Sequence, residues 1–149
     1  MATTNTPPAP LTLEQASLVI QHATAKAAED GVPPLTVVVL DRSGHLIAAQ
    51  RQDGASMFRF DVASGKAWAA VAMGMSSREL AARAQDNPNF FVSLAATADG
   101  RFLPQPGAVL IRDQGGNLLG AAGASGGTGD EDEMCCAFGV TQAGLNPSA

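Results

Sequence analysis

The sequence predicts a single α+β domain in which helices pack on an antiparallel sheet. Two stretches, residues 35–51 and 107–124, each hold a pair of short apolar segments joined by a tight turn. Such pairs are typical of β-hairpins, and hairpins imply antiparallel pairing. Helical patterns precede, separate and follow these hairpins. The chain of 149 residues is 46% hydrophobic, which suits one domain with its own core.

The first helix is predicted over residues 11–30. Thr12 can cap it, with Gln15 as the capping-box partner three residues later. Gly31 and the two prolines that follow end it, because proline cannot continue a helix. One apolar face is expected to pack on the sheet, formed by Ala16, Val19, Ile20, Ala23 and Ala27.

The first hairpin follows directly. The apolar, β-branched run 35–40 predicts a buried strand, and the sequence Asp-Arg-Ser-Gly at 41–44 predicts a turn. Residues 45–51 form the returning strand. Asp53 and Gly54 then break the chain again.

A helical region comes next. A helix is predicted over 58–75, with a capping box of Ser76 and Glu79 opening a second helix that ends near residue 85. Residues 90–94 suit either a short helix or an edge strand, and 101–103 are a candidate third strand of the second half. The first of these helices can approach a sheet or another helix closely because it carries Ala63, Gly65, Ala67, Ala70 and Gly74.

The second hairpin leads into a glycine-rich loop and the last helix. Strands are predicted over 107–112 and 117–124. Thr128 and Glu131 can form a capping box for a helix that runs to about residue 141. The tail that follows, ending in Asn-Pro-Ser-Ala, is expected to fray.

Composition excludes several classes of protein. The net charge is -5 and the nine basic residues are scattered, so binding to nucleic acid is not expected. No apolar run approaches the roughly 20 residues that span a bilayer. The first ten residues lack the features of a signal peptide and predict a disordered leader before one domain over 11–145. These features predict a cytoplasmic protein with no membrane partner.

Three ordered segments resemble the GlcG-like and HbpS-like proteins. They are the hairpin DRSGHLIAAQRQDGA at 41–55, the Lys66-Ala67 pair, and the stretch PGAVLIRDQGGNLLGAAGASGGTGDEDE at 106–133. The resemblance covers nearly the whole chain, although Ala108 stands where the family has glycine. It implies an antiparallel sheet of about five strands flanked by helices, assembled as dimers or octamers. It also implies binding of heme or a related tetrapyrrole.

Candidate ligands for such a group lie in the first hairpin. His45 follows the turn and can offer a neutral imidazole nitrogen to iron, whereas His22 lies in mid-helix and is the weaker candidate. Arg51 and Asp53 can form a buried pair that orients a carboxylate or a heme propionate. The alternatives are an exposed turn histidine and a salt bridge that only holds the turn.

Other candidates lie around the glycine loop. Lys66, on a helix of small residues, can bind an anion or serve as a base. Asp132 or Glu133, at the start of the last helix, can act as general acid or base beside Gly126 and Gly127. The alternatives are a surface lysine and acids that satisfy the helix dipole. The adjacent residues Cys135 and Cys136 are expected to be reduced and packed.

Two hypotheses follow from the sequence. The first is a small-ligand-binding protein that holds heme or a related tetrapyrrole, with His45 as the metal ligand and Arg51, Lys66, Gly126 and Gly127 contacting the group. The second is a cofactor-independent enzyme acting on an oxygenated small molecule or aromatic catabolite. It would use Lys66 and Arg51 with Asp132 or Glu133.

Overall fold

The computed structural model describes residues 6–148. Within that range the chain forms one five-stranded antiparallel sheet with the strand order β2-β1-β4-β3-β5. The strands are β1 Thr36–Asp41, β2 Leu46–Arg51, β3 Ala108–Arg112, β4 Leu118–Ser125 and β5 Asn146–Ser148. The helices are α1 Leu13–Glu29, α2 Phe58–Met73, α3 Ser77–Asp86, α4 Pro88–Thr97 and α5 Gly129–Gln142. Both predicted hairpins are confirmed, since β1 pairs with β2 and β3 with β4.

The sheet is covered on both faces, which explains why its central strands are almost continuously apolar. Helices α1 and α5 pack together on one face, over a core that includes Val37, Val39 and Val109. Helix α2 covers the other face, where it packs on Val38 and Leu110. Helices α3 and α4 extend this second layer outward through a third apolar cluster around Phe91, Phe102 and Leu80.

Glycines lie where backbones approach each other, at the contact of α2 with the sheet that its small residues predicted and also between α1 and α5. A Cβ atom on Gly123 of β4 would lie 2.4 Å from the carbonyl oxygen of Ala63 in α2. A Cβ atom on Gly139 of α5 would lie 2.3 Å from the carbonyl oxygen of Val19 in α1. Both distances are far inside van der Waals contact, so the two helix layers need glycine at these positions.

Helix caps follow the sequence closely. Thr12 and Thr128 both form complete capping boxes, with Gln15 and Glu131. Ser76 caps α3 through the backbone N–H of Glu79, but the returning bond of the predicted box is absent in the described chain. The Glu79 carboxylate accepts a hydrogen bond from Arg83 of the same helix instead.

In three further segments the structure either settles an open prediction of secondary structure or contradicts it. Residues 90–94 belong to helix α4, which starts at Pro88, a favoured first helical residue. Residues 101–103 do not form a strand. The expectation that the tail frays is wrong for Asn146–Ser148, which form β5 on the edge of β3. Asn146 also donates its side-chain amide to the carbonyl oxygen of Asp113. Of the predicted leader, residues 1–5 lie outside the described residues, and 6–10 have no regular secondary structure.

Candidate functional site

A buried ion pair joins the helices on the two faces of the sheet. Lys66 of α2 and Asp132 of α5 lie with the lysine Nζ 3.1 Å from the aspartate Oδ2, and their side chains are 7% and 1% exposed. Lys66 also donates to the carbonyl oxygen of Ala124 at 3.1 Å. The second oxygen of Asp132 accepts the backbone N–H of Gly127 at 3.0 Å. We call this cluster of Lys66, Asp132, Ala124 and Gly127 the closed centre, because every charged group in it has a partner.

The glycines around the closed centre make room for it. A Cβ atom on Gly107 would lie 2.6 Å from the Lys66 Nζ, and Gly107 has a φ of +133°. A Cβ atom on Gly126 would lie 2.2 Å from the carbonyl oxygen of Pro34. The glycine loop is thus packed against neighbouring backbone and holds the Asp132 carboxylate through its N–H group.

The two acidic candidates of α5 have different environments. Asp132 faces the loop, whereas Glu133 accepts a hydrogen bond from Arg78 of α3 at 2.8 Å. Arg78 also donates to Asp130. The hydrogen bonds to Asp130 and Glu133 raise the pKa of Arg78 above its ordinary value. Only Asp132, of the two alternatives, contacts Lys66 and the loop.

The two cysteines are buried beside the closed centre and are free thiols. Burial, together with the nearby Asp132, raises the pKa of Cys135 to about 11. The same causes, burial first, raise the pKa of Cys136 well above its ordinary value. The Cys136 Sγ lies 3.8 Å from the carbonyl oxygen of Gly107. Both groups are therefore protonated, packed thiols at neutral pH, as the sequence predicted.

An aromatic cavity lies on the other side of α2, against the turn of the first hairpin. Its volume is about 410 Å³, within the range of small-molecule sites. Arg101 stacks on one wall of the cavity, with its guanidinium carbon 4.8 Å from the Trp68 ring centroid. The lining is mostly apolar but includes two acids, and consists of Leu40, Gly44, Leu46, Phe60, Asp61, Ser64, Gly65, Trp68, Asp99, Gly100 and Arg101.

His45 lies in the sequence between Gly44 and Leu46, which both line this aromatic cavity, but it is not itself one of the lining residues. Its side chain is 81% exposed, with Nδ1 3.9 Å from the Asp41 Oδ2. His22 lies half-buried on α1, on the opposite face of the sheet.

Arg51 lies at the other end of β2, about 20 Å along the strand from His45 at 3.3–3.4 Å per residue. Both Arg51 and Asp53 are exposed, and no ion pair joins them in the described chain. The buried Arg–Asp pair is therefore not formed. Arg51 instead has Thr36 opposite it in the sheet.

The predicted site residues thus divide into three groups. Lys66, Asp132 and Gly127 lie together in the closed centre, His45 lies exposed in the chain between two residues that line the aromatic cavity, and Arg51 stands apart from both. Sequence reasoning missed Arg101, whose stacking depends on the loop after α4. It also missed Arg59. A basic residue in the first turn of a helix is unfavourable to the helix dipole, and this could have indicated that Arg59 has a role other than stabilising the helix.

No group of three or more metal-binding side chains occurs among residues 6–148. None of the helices described over the same range has the length and apolar character needed to cross a membrane.

Comparisons with known proteins agree with this architecture. The chain is 30% identical over 126 residues to a 15.0 kDa protein in the dhaT-dhaS intergenic region of Citrobacter freundii, covering 85% of this chain and 87% of that one. The structure of a double mutant of Streptomyces reticuli HbpS is 28% identical with a TM-score of 0.78, over 95% of this chain and 93% of that one. A PduOC:heme complex has a TM-score of 0.83 at 23% identity, over 95% and 100%, which shows a shared fold.

A family model also matches most of the described chain. It spans residues 11–141 and describes a haem degrading protein, HbpS-like. The match includes both hairpins, the closed centre and the aromatic cavity. The chain belongs to the HbpS-like family of haem degrading proteins.

Proposed function

We propose that this protein binds heme or a related tetrapyrrole in the aromatic cavity between α2 and the first hairpin. Membership of the HbpS-like family supports a heme-related ligand, and the similar PduOC structure is a heme complex. The observation that carries the proposal is the mostly apolar cavity of about 410 Å³, whose lining includes Trp68 and Phe60.

The residues of the cavity suit a flat, apolar ring with anionic side groups. Trp68 and Phe60 supply aromatic surface for stacking. Leu46 and Phe60 are 56% and 39% exposed, so this apolar surface continues outward and can cover more of a macrocycle. Arg101 carries a guanidinium that can pair with a propionate. The heme would supply iron chemistry, and His45 would hold the iron through Nε2.

A hemin titration tests this proposal. We expect the protein to produce a saturable, shifted Soret band, and His45→Ala to alter the position of that band. His22→Ala is the matched control and should behave like the wild type, because His22 lies on the other face of the sheet. If hemin gives no shifted band, the proposal fails. If His45→Ala leaves the band unchanged, the assignment of the iron ligand fails.

A second candidate function is a cofactor-independent enzyme acting on an oxygenated small molecule. The observation that favours it is the hydrogen-bonded series Lys66, Asp132 and Gly127, a lysine and a carboxylate held together away from water. In the described conformation both groups are saturated by protein partners. A catalytic role therefore requires the glycine loop to move so that substrate reaches Lys66.

The two acids of α5 provide a sharp test of this second function. Turnover of a panel of hydroxy acids and aromatic acids should be abolished by Asp132→Asn and retained by Glu133→Gln. Both variants must first show circular dichroism spectra like the wild type. Equal turnover by the two variants would remove Asp132 from the reaction.

We also expect the chain to associate with itself, as the family resemblance predicts. Several large apolar side chains are exposed at the start of α2 and along α4, namely Met57, Phe58, Phe90 and Val92. Surfaces of this kind mark interfaces between proteins. Light scattering during size-exclusion chromatography should give the mass of a dimer or a larger oligomer.

A further inference from the structure

We propose that the N-terminal end of α2 and the adjoining edge of the sheet form a binding site for a small carboxylate ligand, separate from the aromatic cavity. The site consists of Arg51, Thr36 and Ser125, which lie side by side across three strands, and of Arg59 from α2. We call these four residues the open row. The inference does not depend on heme binding.

The sheet register places the side chains of the row on one face. Thr36 pairs with Arg51 of β2 and with Ser125 of β4. Residues directly opposite in antiparallel strands point to the same side, with Cβ atoms about 4.5–5.5 Å apart. That side is the one covered by α2, because the Arg59 Nη1 lies 3.3 Å from the Ser125 Oγ.

A buried hydroxyl without a partner is the observation that points to a ligand. Thr36 is 1% exposed, and its Oγ1 has no hydrogen-bond partner in the described protein. An unsatisfied buried polar atom is costly and calls for an explanation. Because Thr36 pairs with both Arg51 and Ser125, its side chain lies on the same side of the sheet as theirs. A ligand oxygen that reached the row would accept a hydrogen bond from Thr36.

The charges of the row select an anion. Neither Arg51 nor Arg59 forms an ion pair with an acidic side chain over residues 6–148. The N-cap of α2, Met57, makes no side-chain capping bond, so the first backbone N–H groups of α2 add positive potential. A guanidinium grips the two oxygens of a carboxylate in a bidentate fork.

A ligand can reach the open row from the side of its two arginines. Arg51 is exposed and Arg59 is half-buried, whereas Thr36 and Ser125 are buried. The arginines can therefore meet the ligand first, and the hydroxyls fix its orientation. This order of contacts suits a small acid whose carboxylate enters between the two guanidinium groups.

The test is a titration of the 15N-labelled protein with benzoate, followed through backbone amide chemical shifts, with inorganic phosphate in a parallel arm. We expect saturable shifts at Thr36, Ser125 and the first turn of α2. Arg59→Gln should weaken benzoate binding about tenfold or more, the usual consequence of losing a hydrogen bond to a charged group. Thr36→Val, which has the same shape, should weaken it several-fold.

The control is Arg83→Gln, which removes an exposed arginine paired with Glu79 on α3 and should leave binding unchanged. Equal weakening by Arg83→Gln would show a general charge effect and overturn the site. Unsaturated shifts with benzoate, or wild-type affinity in Arg59→Gln, would also overturn it. Tighter binding of phosphate than of benzoate would overturn the choice of a carboxylate. Because none of these outcomes involves hemin, failure here is distinct from failure of the heme proposal.

Discussion

The closed centre and the open row are both polar clusters that contact α2, yet they differ in how fully their hydrogen bonds are satisfied. In the closed centre the Lys66 ammonium has two acceptors, and both oxygens of Asp132 have donors. In the open row the Thr36 hydroxyl has no partner and the guanidinium of Arg59 has only a hydroxyl at 3.3 Å. A saturated cluster stabilises the fold, whereas an unsaturated one has capacity left for a ligand.

The largest change in stability is expected when the lysine is removed from the closed centre. Lys66→Met leaves the Asp132 carboxylate buried without its charged partner, which typically costs about 3–5 kcal/mol. We therefore expect a loss of that size in the free energy of unfolding, measured by urea denaturation. Lys26→Met is the matched control, because Lys26 forms a partly exposed pair with Asp30 that contributes about 1 kcal/mol or less.

The double variant Lys66→Met, Asp132→Leu sharpens this test. Replacing both members of a buried pair by apolar residues restores much of the lost stability. If the double variant is no more stable than Lys66→Met alone, the loss comes from packing of the lysine side chain and not from the unpaired charge.

A smaller effect is expected from Gly107, which makes space for the same lysine. Gly107→Ala would place a Cβ atom 2.6 Å from the Lys66 Nζ at a φ of +133°. Overpacking of this kind costs about 1–3 kcal/mol, and we expect a loss in that range by thermal or urea unfolding. Gly115→Ala is the control, since its nearest contact is the amide of Asn117 at 3.3 Å in an exposed turn. Equal losses for the two variants would contradict the role of Gly107.

The local parts of this structure could be read from the sequence because their causes are local. The turns and β-branched runs predict both hairpins, and the boxes at Thr12 and Thr128 depend only on residues three apart. Strand β5 could not be predicted, because Asn146–Ser148 have low strand propensity and are held by pairing with β3.

The candidate site shows the same difference between features with local causes and features that depend on distant parts of the chain. Lys66 and an acid of α5 were predicted to belong to one site, but their ion pair was not predicted, and Glu133 is instead held by Arg78 of α3. The separation of His45 from Arg51 could have been deduced, since six residues of extended strand span about 20 Å. The partnerless hydroxyl of Thr36 could not, because a threonine in a β-branched run usually signals only strand propensity.

Replacing Thr36 is expected to raise the stability of the protein, whereas replacing Lys66 is expected to lower it. Thr36→Val keeps the shape of the side chain and removes a buried hydroxyl that has no partner. We expect the variant to be more stable than the ligand-free wild type by about 1 kcal/mol, measured by urea denaturation. Val38→Thr is the converse control on the same strand and face, where a new buried hydroxyl should destabilise the protein. A loss of stability in Thr36→Val would show that the hydroxyl is already satisfied in solution.

The smallest change in stability is expected for Cys135→Ala. Cys135 lies beside the closed centre, so the pH dependence of this change shows whether water reaches that region in the folded protein. Its pKa is raised by burial from an ordinary 9.0 to about 11. Between these values the unfolded chain has lost the thiol proton and the folded chain retains it. The unfolded state then binds fewer protons, so the free energy of unfolding falls as pH rises.

This contribution is fully present below pH 9 and is lost between pH 9 and about 11. We therefore expect the stability difference between the wild type and Cys135→Ala to be constant from pH 6 to 8 and to shrink across that alkaline window. Urea denaturation at each pH measures the difference and cancels titrations that both proteins share. A difference that stays constant up to pH 11 would mean that solvent reaches Cys135 in the folded protein. The region around Asp132 would then open more readily than the saturated hydrogen bonds of the closed centre imply.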